Sequence, residues 1–137
     1  MNAPREVVEV VQQWVRKAEH DLEAARRILA VEEGCPYDTA CFHCQQAVEK
    51  YLEALLTSLA IQAPRTHDLE ELAALLTPEQ ALSVPLGELV GMTPYAVDAR
   101  YADDWREPGI EEARRSLALA NRVRGEVRPS LPAEALE

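Results

Sequence analysis

The stretch Tyr95-Ala-Val-Asp-Ala-Arg100-Tyr101-Ala-Asp-Asp-Trp105-Arg106 holds two of the four tyrosines, one of the two tryptophans and two arginines. A guanidinium forks onto phosphate oxygens and an aromatic ring stacks on a base face, so Arg beside Tyr and Trp at this density points to a phosphate or a stacked base. A mechanical reading competes with it. Tyr95, Tyr101 and Trp105 would pin a long loop to the body of the protein while Arg100 pairs with an acidic residue.

Cys41-Phe-His-Cys44 has the spacing of a zinc-ligating or redox pair, and Cys35 is nearby. No second ligand pair follows downstream, and on a helix both thiols fall on the core-facing side while His43 points away. The cysteines therefore read as small apolar core residues, reduced, with no metal and no cofactor expected. His20-Asp-Leu-Glu23 recurs as His67-Asp-Leu-Glu70. His and Glu three apart serve di-metal bundles, but there Glu precedes His and inward carboxylates complete the set, whereas His20 and Glu23 are expected to face solvent.

These residues need elements to hold them. From about residue 5 to 32 the positions Val7, Val11, Trp14, Ala18, Leu22, Ala25 and Leu29 recur at steps of three and four, the stripe of an α-helix, which Gly34 and Pro36 end. Asp38 or Thr39 can cap a second helix with the stripe Cys41, Cys44, Val48, Tyr51/Leu52, Leu55 and Leu59, closing near Ile61. Thr66 can cap a third helix through Leu75/Leu76, and Thr77-Pro-Glu-Gln80 signals a fresh helical start. Pro85 and Gly87 break residues 78–92 into short pieces, Thr93 to Pro108 reads as a long loop, and a last helix runs from Ile110 to Val127. No segment alternates long enough to be a strand, so the expected fold is all-α: an up-and-down bundle of four main helices plus short helical pieces. Residues 1–130 form the single domain and 131–137 a flexible C-terminal tail.

At 100° per residue, the second helix carries Phe42, Gln46, Glu49 and Glu53 on one flank of its core stripe and His43, Ala47, Lys50 and Ala54 on the other. Phe42 and Ala47 fit half of a dimer contact, the alanines admitting a close neighbouring helix. They fit equally well burial against another helix of the same bundle.

A length of 137 residues suits one core, and 47% hydrophobic with 28% charged residues is ordinary globular usage. The net charge of −10 argues against a broad nucleic-acid surface. Charge is uneven, however: residues 1–99 hold 7 Lys/Arg against 16 Asp/Glu, and residues 100–137 hold 7 against 8, all seven being Arg. Any anion site is therefore expected in the C-terminal third rather than elsewhere in the chain. No signal-peptide pattern and no apolar span long enough for a membrane occur, so a cytoplasmic location is expected.

Taken together, Cys41-Phe-His-Cys-Gln-Gln-Ala-Val-Glu-Lys-Tyr-Leu-Glu-Ala-Leu-Leu56, Thr66-His-Asp-Leu69, Ala99-Arg-Tyr101, the Glu-Glu-Ala113 helix start and the leading Trp14, Ala18 and Asp21-Leu22 resemble the HEPN family (higher eukaryotes and prokaryotes nucleotide-binding) from roughly Trp14 to Val127. The resemblance implies a four- or five-helix bundle that forms a two-fold homodimer, often encoded beside a minimal nucleotidyltransferase in toxin–antitoxin-like pairs. It also implies, for many members, a metal-independent ribonuclease whose signature is an arginine followed after four to six residues by a histidine. Here Arg100 matches, but Trp105, Arg106 and Glu107 stand where the histidine should fall. Neither Trp nor Arg can move a proton near neutral pH. The expectation is thus a non-catalytic HEPN protein binding a nucleotide or a nucleotidyltransferase partner, with Arg100, Tyr101, Tyr95, Gln46, Glu49, Lys50 and His43 at the site. A ribonuclease with a non-standard site acting on RNA, and a purely structural interaction module, are the alternatives.

Overall fold

A computed structural model describes residues 3–31, 34–98 and 106–137. Six α-helices follow in order: α1 (Arg5–Leu29), α2 (Tyr37–Ser58), α3 (Leu69–Ala73), α4 (Leu86–Met92), α5 (Pro94–Asp98) and α6 (Ile110–Val127), then 3-10 turns at Arg128–Ser130 and Ala133–Leu136. Among the described residues there is no strand, so the fold is all-α as expected.

The stripe of α1 places Val11, Val15, Ala18, Leu22 and Ala25 in the core. Val15 takes the buried position, and Trp14 packs beside it at the edge with the Lys17 ammonium 6.0 Å from its ring. Beyond α1, Gly34 has φ +72, a left-handed conformation that a side chain would strain, although the space around it is open. α2 starts at Tyr37 after Pro36, so neither Asp38 nor Thr39 caps it; Asp38 instead sits in the first turn, where the helix dipole favours its charge. Its far end is a Schellman turn: Ile61 N–H donates to Leu56 O (2.9 Å) and Ala60 N–H to Thr57 O (3.0 Å).

α1 and α2 form an αα-hairpin with the most extensive interface in the molecule. α6 lies against both. Ser116 meets Cys41 near the start of α2, and Arg128 meets Tyr51 near its end, so α6 runs in the same sense as α2. α2, covered on several sides, buries Gln45 and Glu49 along with its apolar stripe.

The connection from α2 to α6 departs from expectation in three places. The third helix is a single short turn region, and its cap is Asp68, whose Oδ1 accepts from Glu70 N (3.0 Å) and Glu71 N (3.2 Å), while Thr66 Oγ1 accepts from Asp68 N. Thr77–Gln80 is a turn closed by Gln80 N–H to Thr77 O (2.9 Å), not a helix. Pro94–Asp98, expected as loop, is helical, because proline suits a first helical position and Ala96 is buried there. The tail is also corrected: Leu131 and Ala135 are buried in the common core, the Ala133–Leu136 turn packs on α1, and Gln12 Nε2 donates to the Glu137 carbonyl (3.3 Å). Among the described residues, no helix is long and apolar enough to cross a membrane.

Candidate functional site

On α6, Glu112, Arg115, Ser116, Leu119 and Arg122 recur at steps of three and four and so share one face. That face forms a wall of an open cleft of about 580 Å³, with Glu88, Gly91 and Met92 of α4, Tyr95 of α5 and Arg106 completing the lining. Three guanidiniums therefore converge in a protein of strongly negative net charge. Arg106 Nη2 donates to both oxygens of Glu112, at 3.0 and 3.1 Å, and the Tyr95 hydroxyl donates to Glu112 Oε2. Arg122 donates to the carbonyl (3.3 Å) and hydroxyl (3.2 Å) of Ser83 and lies 3.5 Å from Glu126. Arg115 has no carboxylate within ion-pair distance among the described residues.

The electrostatics follow from these bonds. Burial disfavours the charge on Glu112, but the hydrogen bonds from Tyr95 and Arg106 and the positive charge of Arg106 and Arg115 prevail and hold its carboxyl below the usual range. Burial, then the bond to Glu112, pushes the Tyr95 phenol up, so it stays a neutral donor. Behind the cleft Ser116 Oγ donates to Glu112 O (3.0 Å) and reaches Cys41 Sγ (3.8 Å). Burial pushes the Cys41 thiol up to about 11 and the Cys44 thiol to about 12, which leaves both as inert core residues, as read from their spacing.

The polar residues of α2 build two separate knots away from the cleft. On the flank facing α1, Asp21 accepts from Lys50 Nζ (2.5 Å) through Oδ2 and bonds His43 Nδ1 (2.8 Å) through Oδ1. On the other flank Glu49 bonds His67 Nδ1 (2.7 Å) through Oε1 and accepts from Gln46 Nε2 (3.1 Å) through Oε2. Gln45 Nε2 donates to the His67 carbonyl (3.0 Å), so both ends of that residue are tied to α2. Burial, then the neighbouring Glu49, raises the Glu53 carboxyl. Each knot joins two elements with a carboxylate as the bridge, a fastening geometry for otherwise costly buried polar groups.

Of the expected site residues, Tyr95 lines the cleft; Gln46 and Glu49 lie in one knot and His43 and Lys50 in the other. Arg100 and Tyr101 lie outside the described residues. Phe42 is half-buried, its ring edge-on to His43 at 5.5 Å. Ala47 is fully buried within the chain's own core, so it is corrected from a dimer contact to the close approach of α2 to α1. His20 and Glu23 are exposed as expected, and no group of three or more metal-ligating side chains exists among the described residues. Sequence reasoning misses Glu112, Arg115 and Arg122 as site residues, although the arginine-rich C-terminal third and their shared helical face carry the signal.

A profile of the HEPN domain matches residues 11–129. The fold is similar to TT1696 from Thermus thermophilus, at TM-score 0.73 and 26% identity over 88% of this chain and 98% of that one. It is also similar to ST0689, an archaeal HEPN homologue, at TM-score 0.63 and 26% identity over 86% of this chain and 98% of that one. No curated protein sequence matches the chain. With the profile spanning nearly every helix of an all-α bundle that two solved structures share, the chain belongs to the HEPN family.

Proposed function

We propose that this chain is a non-catalytic HEPN protein that binds a nucleotide in the cleft between α4–α5 and α6. The observation that carries the reading is the convergence of Arg106, Arg115 and Arg122 with Tyr95 around one open space, in a protein otherwise rich in acids. Guanidiniums recognise phosphate oxygens through paired N–H groups, and a phenol ring offers a base a face to stack on. Arg100 and Tyr101, which lie outside the described residues, belong to the sequence stretch that joins Tyr95 to Arg106. The absence of catalysis is supported by the histidines. There are three, none lines the cleft, and two are tied to carboxylates elsewhere.

Calorimetry with ATP tests the reading. Wild type is expected to bind, Arg115→Ala to weaken binding about tenfold for the loss of one charge-assisted contact, and Arg27→Ala, on an exposed face of α1, to change nothing. RNA is expected to survive incubation with the protein; cleavage abolished by Arg100→Ala and His67→Ala would point instead to a ribonuclease with unorthodox residues. The working unit is a homodimer, with Phe42 at its contact, and light scattering at micromolar concentration should return twice the monomer mass. A nucleotidyltransferase is the proposed protein partner, testable by co-purification from a co-expressed pair.

A further inference from the structure

We infer that one edge of α1 is the surface on which a second copy of this chain docks, antiparallel, with Trp14 seated on the partner's Ala24; this rests on the homodimer reading above and names its interface. Beside its core stripe, α1 carries a second run at heptad spacing: Val7, Val10, Trp14, Lys17, Asp21, Ala24, Ile28 and, in the turn that closes the helix, Val31. The elements that pack on α1 leave this edge partly open. Val10 and Val31 are 43% and 53% exposed, two of the five large apolar side chains so placed among the described residues, and Val7, Trp14, Ala24 and Ile28 are half-buried. Apolar residues therefore stand at both ends of the run and charges at its middle.

The run is complementary to its own reverse. About a two-fold axis at the level of Glu19, Val7 faces the partner's Val31, Val10 the partner's Ile28, Trp14 the partner's Ala24 and Lys17 the partner's Asp21. Large meets small, unlike charges meet, and every position of the run is used. A slip of one heptad either way strands an apolar end and sets Lys17 against Trp14 or Ile28, and a parallel copy stacks Trp14 on Trp14 and Lys17 on Lys17. Asp21 already holds His43 (2.8 Å) and Lys50 (2.5 Å), so the contact with Lys17 fixes register more than it adds affinity. A seam of about 36 Å by about 10 Å covers on the order of 400 Å² per copy, short of the roughly 1,000 Å² in total that a specific interface buries. Phe42, edge-on to His43 beside the same knot, extends the seam onto α2.

Cross-linking and light scattering of the full chain test the interface. Its own three cysteines are buried. Val10→Cys and Ile28→Cys, mixed and mildly oxidised, should form a disulfide-linked dimer, whereas neither alone should, since identical positions lie about 27 Å apart along the seam. Val10→Asp, with its helical circular dichroism unchanged, should raise the dimer dissociation constant about hundredfold, because each dimer loses two such valines. No mixed cross-link, self-cross-linking as fast as mixed, or an undiminished Val10→Asp dimer would overturn this interface while leaving the homodimer standing. Should Val10→Asp fail to fold, the cysteine pair decides alone. A wild type that is monomeric at micromolar concentration removes the homodimer reading and this one with it.

Discussion

Ala60 occupies a conformation that its side chain resists. Its φ of 59 lies in the left-handed region at the C-terminal turn of α2, where the Schellman bonds from Ala60 and Ile61 require that geometry. Ala60→Gly should raise stability by about 0.5–1 kcal/mol, the steric relief outweighing the added freedom of the unfolded chain, as read from a denaturant midpoint. A second single-residue effect concerns charge. Burial disfavours the charge on Glu19, but hydrogen bonds and charges from Arg124, at 2.8–3.0 Å, and Arg128, at 3.1 Å, prevail and hold its carboxyl below the ordinary 4.5. A carboxyl depressed on folding contributes stability that is complete above the unfolded value and is lost as pH falls through the folded one. Glu19→Gln should therefore cost about 1–2 kcal/mol at pH 7, and the gap between its melting curve and that of wild type should close toward pH 3. None of this partnership shows in spacing, because Glu19 and Arg124 are far apart in sequence and meet only once α6 is laid along α1.

Elements were legible in proportion to how far their own periodicity decides their burial. α1 and α6 each bury one stripe, and their apolar steps of three and four marked both, to within a residue at either end of α6. α2 is different because it is covered on several sides: its core stripe was readable, but Gln45 and Glu49 are buried for reasons that lie on other elements. Short α3, α4 and α5 depend on what they pack against more than on pattern, so Asp68 rather than Thr66 wins the cap and Pro94–Asp98 coils where a loop was expected. The alanine flank of α2 yields a prediction at this scale. His43 and Lys50 on the same flank both reach Asp21 of α1, so Ala47 sits where the hairpin helices close together. Ala47→Leu should overpack that seam and cost about 1–3 kcal/mol. The loss should be the same at every protein concentration, since the seam lies within one chain; a loss that shrank on concentrating the protein would return Ala47 to an interface between copies.

Over the whole molecule, the candidate site was half legible: the concentration of arginine in the last third pointed to it, yet the cleft needs α4 and α5 swung against α6, which no local pattern encodes. The end of the chain was misread for the opposite reason, too few residues to show a period. Leu131 and Ala135 are its two buried positions, and they complete the core between α1 and α6 where the hairpin alone would leave α1 uncovered. Gln12 fastens the last carbonyl, and the Ala133–Leu136 turn lies along α1. Deleting residues 131–137 should therefore remove a buried leucine and uncover its neighbours, a loss of about 2 kcal/mol by the burial of one such side chain and a fall in melting temperature of roughly 5–10 °C for a domain of this size. The cleft shares no lining residue with the groove that the segment borders, so affinity for the proposed nucleotide below the melting transition should be unchanged. An unaltered melting curve would mean that the last seven residues add nothing to the core, and a parallel loss of nucleotide binding would mean that α6 is held in register by both of its faces together.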